Sequence, residues 1–163
     1  MRTHTVPLRR ARSWLAAGAA IAALAALAGG VLAAPAQAFP RTPWHIVDSA
    51  SLNGAQGNFI WQNRSVRVAA RLEHVSPTFC MAVVFTAYDR SNHQVARVAR
   101  PGDGVHHYLC GFAARSYGFT LNASHVFGGI RKIVVDLWQR RGARVSHTDR
   151  VICGRPRATR RCA

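Results

Sequence analysis

SVRVAARLE at residues 65–73 and FCMAVVFTAY at residues 79–88 decide the fold. In the first, Val66, Val68, Ala70 and Leu72 point one way and Arg67, Arg71 and Glu73 the other. That two-residue period is the mark of a strand with one wet face. In the second, both parities are apolar, with Phe79, Met81, Val83 and Phe85 against Cys80, Ala82, Val84 and Thr86. Such a strand is covered on both sides and belongs at the centre of a sheet.

Outward from this pair, Asp89-Arg90-Ser91-Asn92-His93 supplies a polar turn, and 95–100 returns as an edge strand with Arg97 and Arg100 on opposite parities. Pro101-Gly102-Asp103-Gly104 is the strongest turn signal. Further strands are expected at 105–112, 117–121, 130–139 and 145–153, with a short one near 44–47. The strand, polar turn and return strand of 79–100 resemble those of 133–153, as two hairpins of one sandwich would. No helical stripe of useful length interrupts the series after residue 38. The expectation is all-β: an antiparallel β-sandwich, with a barrel as the alternative.

The first 38 residues are of another kind. They carry Arg2, Arg9, Arg10 and Arg12 but no acid, then a long Ala- and Leu-rich run, then Ala36-Gln37-Ala38. This is the layout of a secretory signal cut before Phe39; an uncleaved anchor is the competing reading. Arg9-Arg10 also raises a twin-arginine route, but Arg12 stands where a bulky apolar residue is wanted, which favours ordinary export. The expected organisation is 1–38 signal peptide, 39–58 N-terminal arm, 59–153 sandwich domain and 154–163 basic tail, in a secreted, extracellular protein. All four cysteines lie after the signal. Their spacing fits no zinc site, so they read as two disulfides. Cys153 with Cys162 and Cys80 with Cys110 is the expected pairing; the second bridge then requires the 101–104 turn to lead into a crossover to the other sheet.

Beyond residue 38 the chain holds 17 Arg, one Lys and six acids, a formal charge of +12. A patch of this sign attracts phosphate polymers, because guanidinium forks match phosphate oxygens. Arg140, Arg141 and Arg144 fall in one expected turn, and Arg155, Arg157, Arg160 and Arg161 in the tail. If the tail folds back through Cys162, the seven share one end of the sandwich. Trp44, Trp61, Trp138, Tyr88, Tyr108 and Tyr117 offer rings for stacking sugars or bases, with Trp138 the best exposed candidate and Trp61 expected in the core. The competing explanation is compositional: a GC-rich genome writes Arg in place of Lys, although that leaves the shortage of acids unexplained.

Catalysis has little to build on. There is no Gly-x-Ser-x-Gly elbow, phosphate loop or His-Glu-x-x-His helix, and the acids are only Asp48, Glu73, Asp89, Asp103, Asp136 and Asp149. His106 and His107 are adjacent, so in a strand they face opposite sides and cannot share a metal; no metal or cofactor is expected.

The layout of 59–153, a Val-x-Val strand before an aromatic-flanked Cys, a second Cys 30 residues on and a late Val-rich strand, resembles small secreted β-sandwich proteins of high-GC bacteria. The resemblance implies export and fold and brings no activity with it. FIWQNR at 59–64 and RVICG at 150–154 are faintly similar to stretches of small secreted guanyl-preferring ribonucleases, although Ser65 stands where their acid would follow. That resemblance implies an acid–base pair, for which Glu73 and a nearby His are the candidates. The function expected is a secreted, strongly basic, non-catalytic binding or envelope-associated domain, taking anionic cell-wall polymer or nucleic acid without sequence preference. The alternatives are a ribonuclease-type hydrolase and a protein inhibitor or partner-binding module. An enzyme would gather a His, an acid and an Arg in one cleft, whereas a binder would present a positive face.

Overall fold

A computed structural model describes residues 39–102, 107–156 and 162, and every regular element among them is a strand. In chain order these are β1 (Arg41–Val47), β2 (Gly54–Trp61), β3 (Ser65–His74), β4 (Cys80–Tyr88), β5 (Gln94–Arg100), β6 (Leu109–Cys110), β7 (Ala113–Asn122), β8 (Lys132–Arg141) and β9 (Arg144–Gly154). All pairings are antiparallel. One sheet runs β1-β2-β3-β7; the other runs β5-β4-β8-β9, with β6 also on β4. Backbone pairing does not join the sheets, so the fold is a sandwich and the barrel alternative falls.

The alternation read at 65–73 is what builds the first sheet. Val66, Val68, Ala70 and Leu72 are buried while Arg67, Ala69 and Arg71 are exposed. In β4 every residue from Met81 to Ala87 is buried, as its double apolar parity requires. Met81, Val83 and Phe85 face the core. Ala82, Val84 and Thr86 lie on the outer face, where their cross-strand neighbours are Trp138, Asp136 and Arg97. Long side chains such as Trp138 and Arg97 can lie over small ones.

Phe85 carries the contact between the sheets. It is fully buried and meets Trp44, Phe59 and Phe119 of the opposite sheet edge to face, with centroids 5.3, 6.4 and 5.1 Å away. Burying a ring of this size contributes about 1.5–3 kcal/mol by transfer alone. Trp61 is buried as expected, its indole N–H donating to Thr42 Oγ1 at 2.9 Å.

Both disulfides form as paired above, Cys80–Cys110 and Cys153–Cys162. The route to the first differs from expectation. Cys110 lies in β6, directly opposite Cys80 on β4, along the same edge that β5 occupies from Val83 onward. The chain leaves this edge after Arg100 and is back on it at Leu109, and the crossover to the other sheet comes after Cys110, at Gly111-Phe112. Of the strand expected at 105–112 only Leu109–Cys110 is a strand among the described residues. The arm expected at 39–58 also differs: β1 begins at Arg41, and β2 starts at Gly54 rather than at Phe59. The two similar hairpins, β4–β5 and β8–β9, lie side by side, with β4 on β8. The expected signal peptide lies outside the described residues; among those described, no helix is long and apolar enough to cross a membrane.

Candidate anion-binding site

Antiparallel order brings the end of β2, the start of β3, the ends of β4 and β7, the start of β8 and the end of β9 to one end of the sandwich. Tyr88 pairs with Lys132, which pairs with Gly154; Ser65 pairs with Asn122. Backbone hydrogen bonds tie the connecting segments together. Arg131 N donates to Tyr88 O and Arg155 N to Arg131 O, both at 2.8 Å, and Ala123 N donates to Arg64 O at 3.0 Å.

Five cations meet there: Arg64, Arg90, Arg131, Lys132 and Arg155. Arg155 reaches across to the other sheet and donates to Gln62 O at 2.8 Å and Asn63 O at 3.1 Å. Arg64 Nη1 donates to Ser124 O at 3.1 Å. Lys132 donates to Asn92 Oδ1 at 2.5 Å and lies over the Tyr88 ring. Together with Asp89, Gly154 and Pro156, residues Arg90, Asn92, Arg131, Lys132 and Arg155 line a hollow of about 530 Å³. Asp89 is the one acid in it, and its Oδ1 already accepts from the His93 amide at 2.8 Å. Among the described residues, Nε of Arg131 is buried and meets no hydrogen-bond partner, which leaves a cationic group with an open donor beside the hollow. A buried donor in this state wants an acceptor.

Of the seven arginines expected to act together, the four described do not gather. Arg155 is at this end. Arg140, Arg141 and Arg144 flank the Gly142-Ala143 turn at the other end of β8, roughly 30 Å away along a ten-residue strand. There Arg140 lies over Tyr108 and Arg141 over Phe79, at 4.8 and 5.4 Å from the ring centres, so both are seated on rings beside the Cys80–Cys110 bridge. Arg157, Arg160 and Arg161 lie outside the described residues. The expected stacking rings are mostly occupied as well. Trp44 and Trp61 are in the core, Tyr88 and Tyr108 sit beneath cations, and Trp138 is half-buried against His147.

Two groupings of acid, imidazole and guanidinium lie elsewhere. Glu73 bonds Arg71 at 2.7 Å, and the neighbouring His74 points to the opposite face, into the core, with Nδ1 against Gly111 O. His45 is the nearer imidazole, sharing a small depression with Arg71 and Glu73. On the outer face of the other sheet, Asp136 Oδ1 accepts from Arg150 Nε at 2.6 Å and pairs with His147 Nε2 at 2.9 Å. The Asp136 hydrogen bond and charge raise the Arg150 guanidinium above its ordinary value. A bulge makes this trio possible: Leu137 pairs with Asp149 but Trp138 pairs with His147, leaving Thr148 extra, so His147 and Arg150 face the same side although three apart. A carboxylate that orients an imidazole is an acid–base arrangement. It stands on the open face of a sheet, and none of the three hollows described is lined by these residues. The widest of these hollows, about 740 Å³, lies beside β1 and is lined also by Val151 and Cys162; among its described lining residues Arg71 is the one Arg or Lys. It is larger, but its described residues offer an anion fewer cations than the five-cation end.

No protein-family model matches this chain, and no curated protein is similar to it.

Proposed function

We propose that this protein is an exported, non-catalytic binding domain for phosphate-bearing polymers, and that it binds them at the end of the sandwich formed by Arg64, Arg90, Arg131, Lys132 and Arg155. The observation that carries this reading is the hollow lined by Arg90, Arg131, Lys132 and Arg155, in which, among the described residues, Asp89 is the one acid and the buried Arg131 Nε meets no partner. Guanidinium and ammonium groups converging on one hollow suit a phosphate oxygen cluster. Nothing in the arrangement reads a base or a sugar, so sequence preference is slight. The two disulfides agree with an oxidising compartment.

The test compares two triple variants for binding to inorganic polyphosphate, with thermal melting as the check on folding. Replacing Arg90, Arg131 and Lys132 by Gln weakens binding at least tenfold, whereas replacing Arg140, Arg141 and Arg144 by Gln changes it less than threefold. Equal losses in both would mean that charge is spread over the whole surface and that this end is not a site.

A further inference from the structure

Among the described residues, Phe127 is the most exposed large apolar side chain, at 95 %. It stands on the β7–β8 loop, at the same end as the five cations. The loop holds it in place: Val126 N donates to Ala123 O and Gly129 N to Val126 O, and Val126 packs on the core. Gly128 and Gly129 both take positive φ, 80° and 60°. A Cβ on Gly129 would stand 2.8 Å from Arg64 Cα, so the chain folds tightly over Arg64 as it leaves Phe127. Arg131 reaches the same place, its Nη2 being 4.0 Å from where a Gly128 Cβ would sit.

We propose that this end docks on an anionic phospholipid surface. Phe127 enters the boundary between headgroups and acyl chains, while Arg64, Arg90, Arg131, Lys132 and Arg155 meet the headgroup phosphates. The proposal rests on the anion site above and extends it from phosphate polymers to the phosphates of lipid headgroups. An apolar tip at the cationic end of the sandwich matches the layering of such a surface, where apolar burial and attraction to anionic headgroups add. Single-stranded nucleic acid is matched less well. It needs successive exposed rings on which to stack bases; Tyr88 at this end is covered by the Lys132 ammonium at 4.7 Å, and Phe39, 53 % exposed ahead of β1, belongs to a different segment from Phe127.

The experiment uses the protein as exported by a secreting host. Co-sedimentation is measured with vesicles of phosphatidylcholine alone and of equal parts phosphatidylcholine and phosphatidylglycerol, alongside binding to inorganic polyphosphate and to single-stranded DNA. The parent is expected to bind the mixed vesicles and not the neutral ones. Phe127→Ser lowers binding to mixed vesicles about tenfold, the scale of losing part of a buried ring, and leaves polyphosphate binding unchanged; Phe127→Leu recovers most of the loss. If Phe127→Ser binds mixed vesicles as the parent does, the membrane proposal is overturned and the polyphosphate result still decides the anion site. A Phe127→Ser loss confined to single-stranded DNA overturns it in favour of base stacking. Failure of the parent to bind polyphosphate removes the anion reading itself.

Discussion

Asp48 shows how one polar residue closes the end of an apolar core. Gln139 is the last inward-facing position of β8 and is buried, and its amide donates to Asp48 and Ser51 of the β1–β2 connection. Burial alone would raise the Asp48 carboxyl, but hydrogen bonds from Ser51, the Ala50 amide and Gln139 outweigh it and hold the group below its ordinary 3.8. A carboxyl lowered by folding contributes stability that is complete above its unfolded value and fades as pH falls through the folded one. Asp48→Ala therefore costs about 1–2 kcal/mol at neutral pH, mainly by taking the acceptor from one Gln139 N–H and from the Ser51 hydroxyl. The gap from the parent narrows in acid below about pH 4, as urea titrations at several pH values will show. Had the carboxyl been raised instead, the gap would widen in acid.

At the scale of elements, the two glycine turns separate conformational strain from steric exclusion. Gly142 and Gly129 have nearly the same φ, 58° and 60°. A Cβ on Gly142 meets nothing within 4 Å, whereas one on Gly129 meets Arg64 Cα at 2.8 Å and Asn63 O at 2.9 Å, both backbone atoms. Gly142→Ala is expected to cost about 1 kcal/mol, the price of a left-handed residue alone. Gly129→Ala should cost about 2–4 kcal/mol, because the loop must also move off the 63–64 turn. Denaturant midpoints for the two variants give the comparison directly, and equal shifts would show that the loop yields freely. The β9 bulge belongs to this scale too. Parity places His147 and Arg150 on opposite faces, and only the extra Thr148 brings both to Asp136, which no two-residue pattern reveals.

For the whole molecule, the decisive property is charge of one sign in excess: 22 Arg and Lys against six acids over the full chain. If the anion site engages about four or five phosphates, counterion release gives a slope of log affinity against log salt of roughly −3 to −4.5. Polyphosphate binding by the parent should follow that slope in a salt titration. The Arg90, Arg131 and Lys132 variant should flatten it by about two to three, and an unchanged slope would place the contacts elsewhere. Much of the architecture was legible beforehand, since alternation along 65–73, double apolar parity along 79–88 and turn chemistry at 89–93 are local facts that constrain which face each side chain takes. The disulfides were legible as well, because few pairings exist and loop length narrows them. The site was not. Arg64, Arg90, Arg131 and Arg155 are far apart in sequence and carry no motif; what unites them is antiparallel strand order, which places alternate turns at the same end. Phe127 could have been suspected, as a large apolar residue ahead of two glycines between strands, yet a sequence cannot say whether such a ring packs inward or stands in water. The sequence by itself determined two antiparallel sheets, two bridges and a large positive charge, because periodicity, cysteine count and composition act locally or in sum. Tertiary structure alone decided where that charge converges, since convergence depends on which strand ends meet across the sandwich.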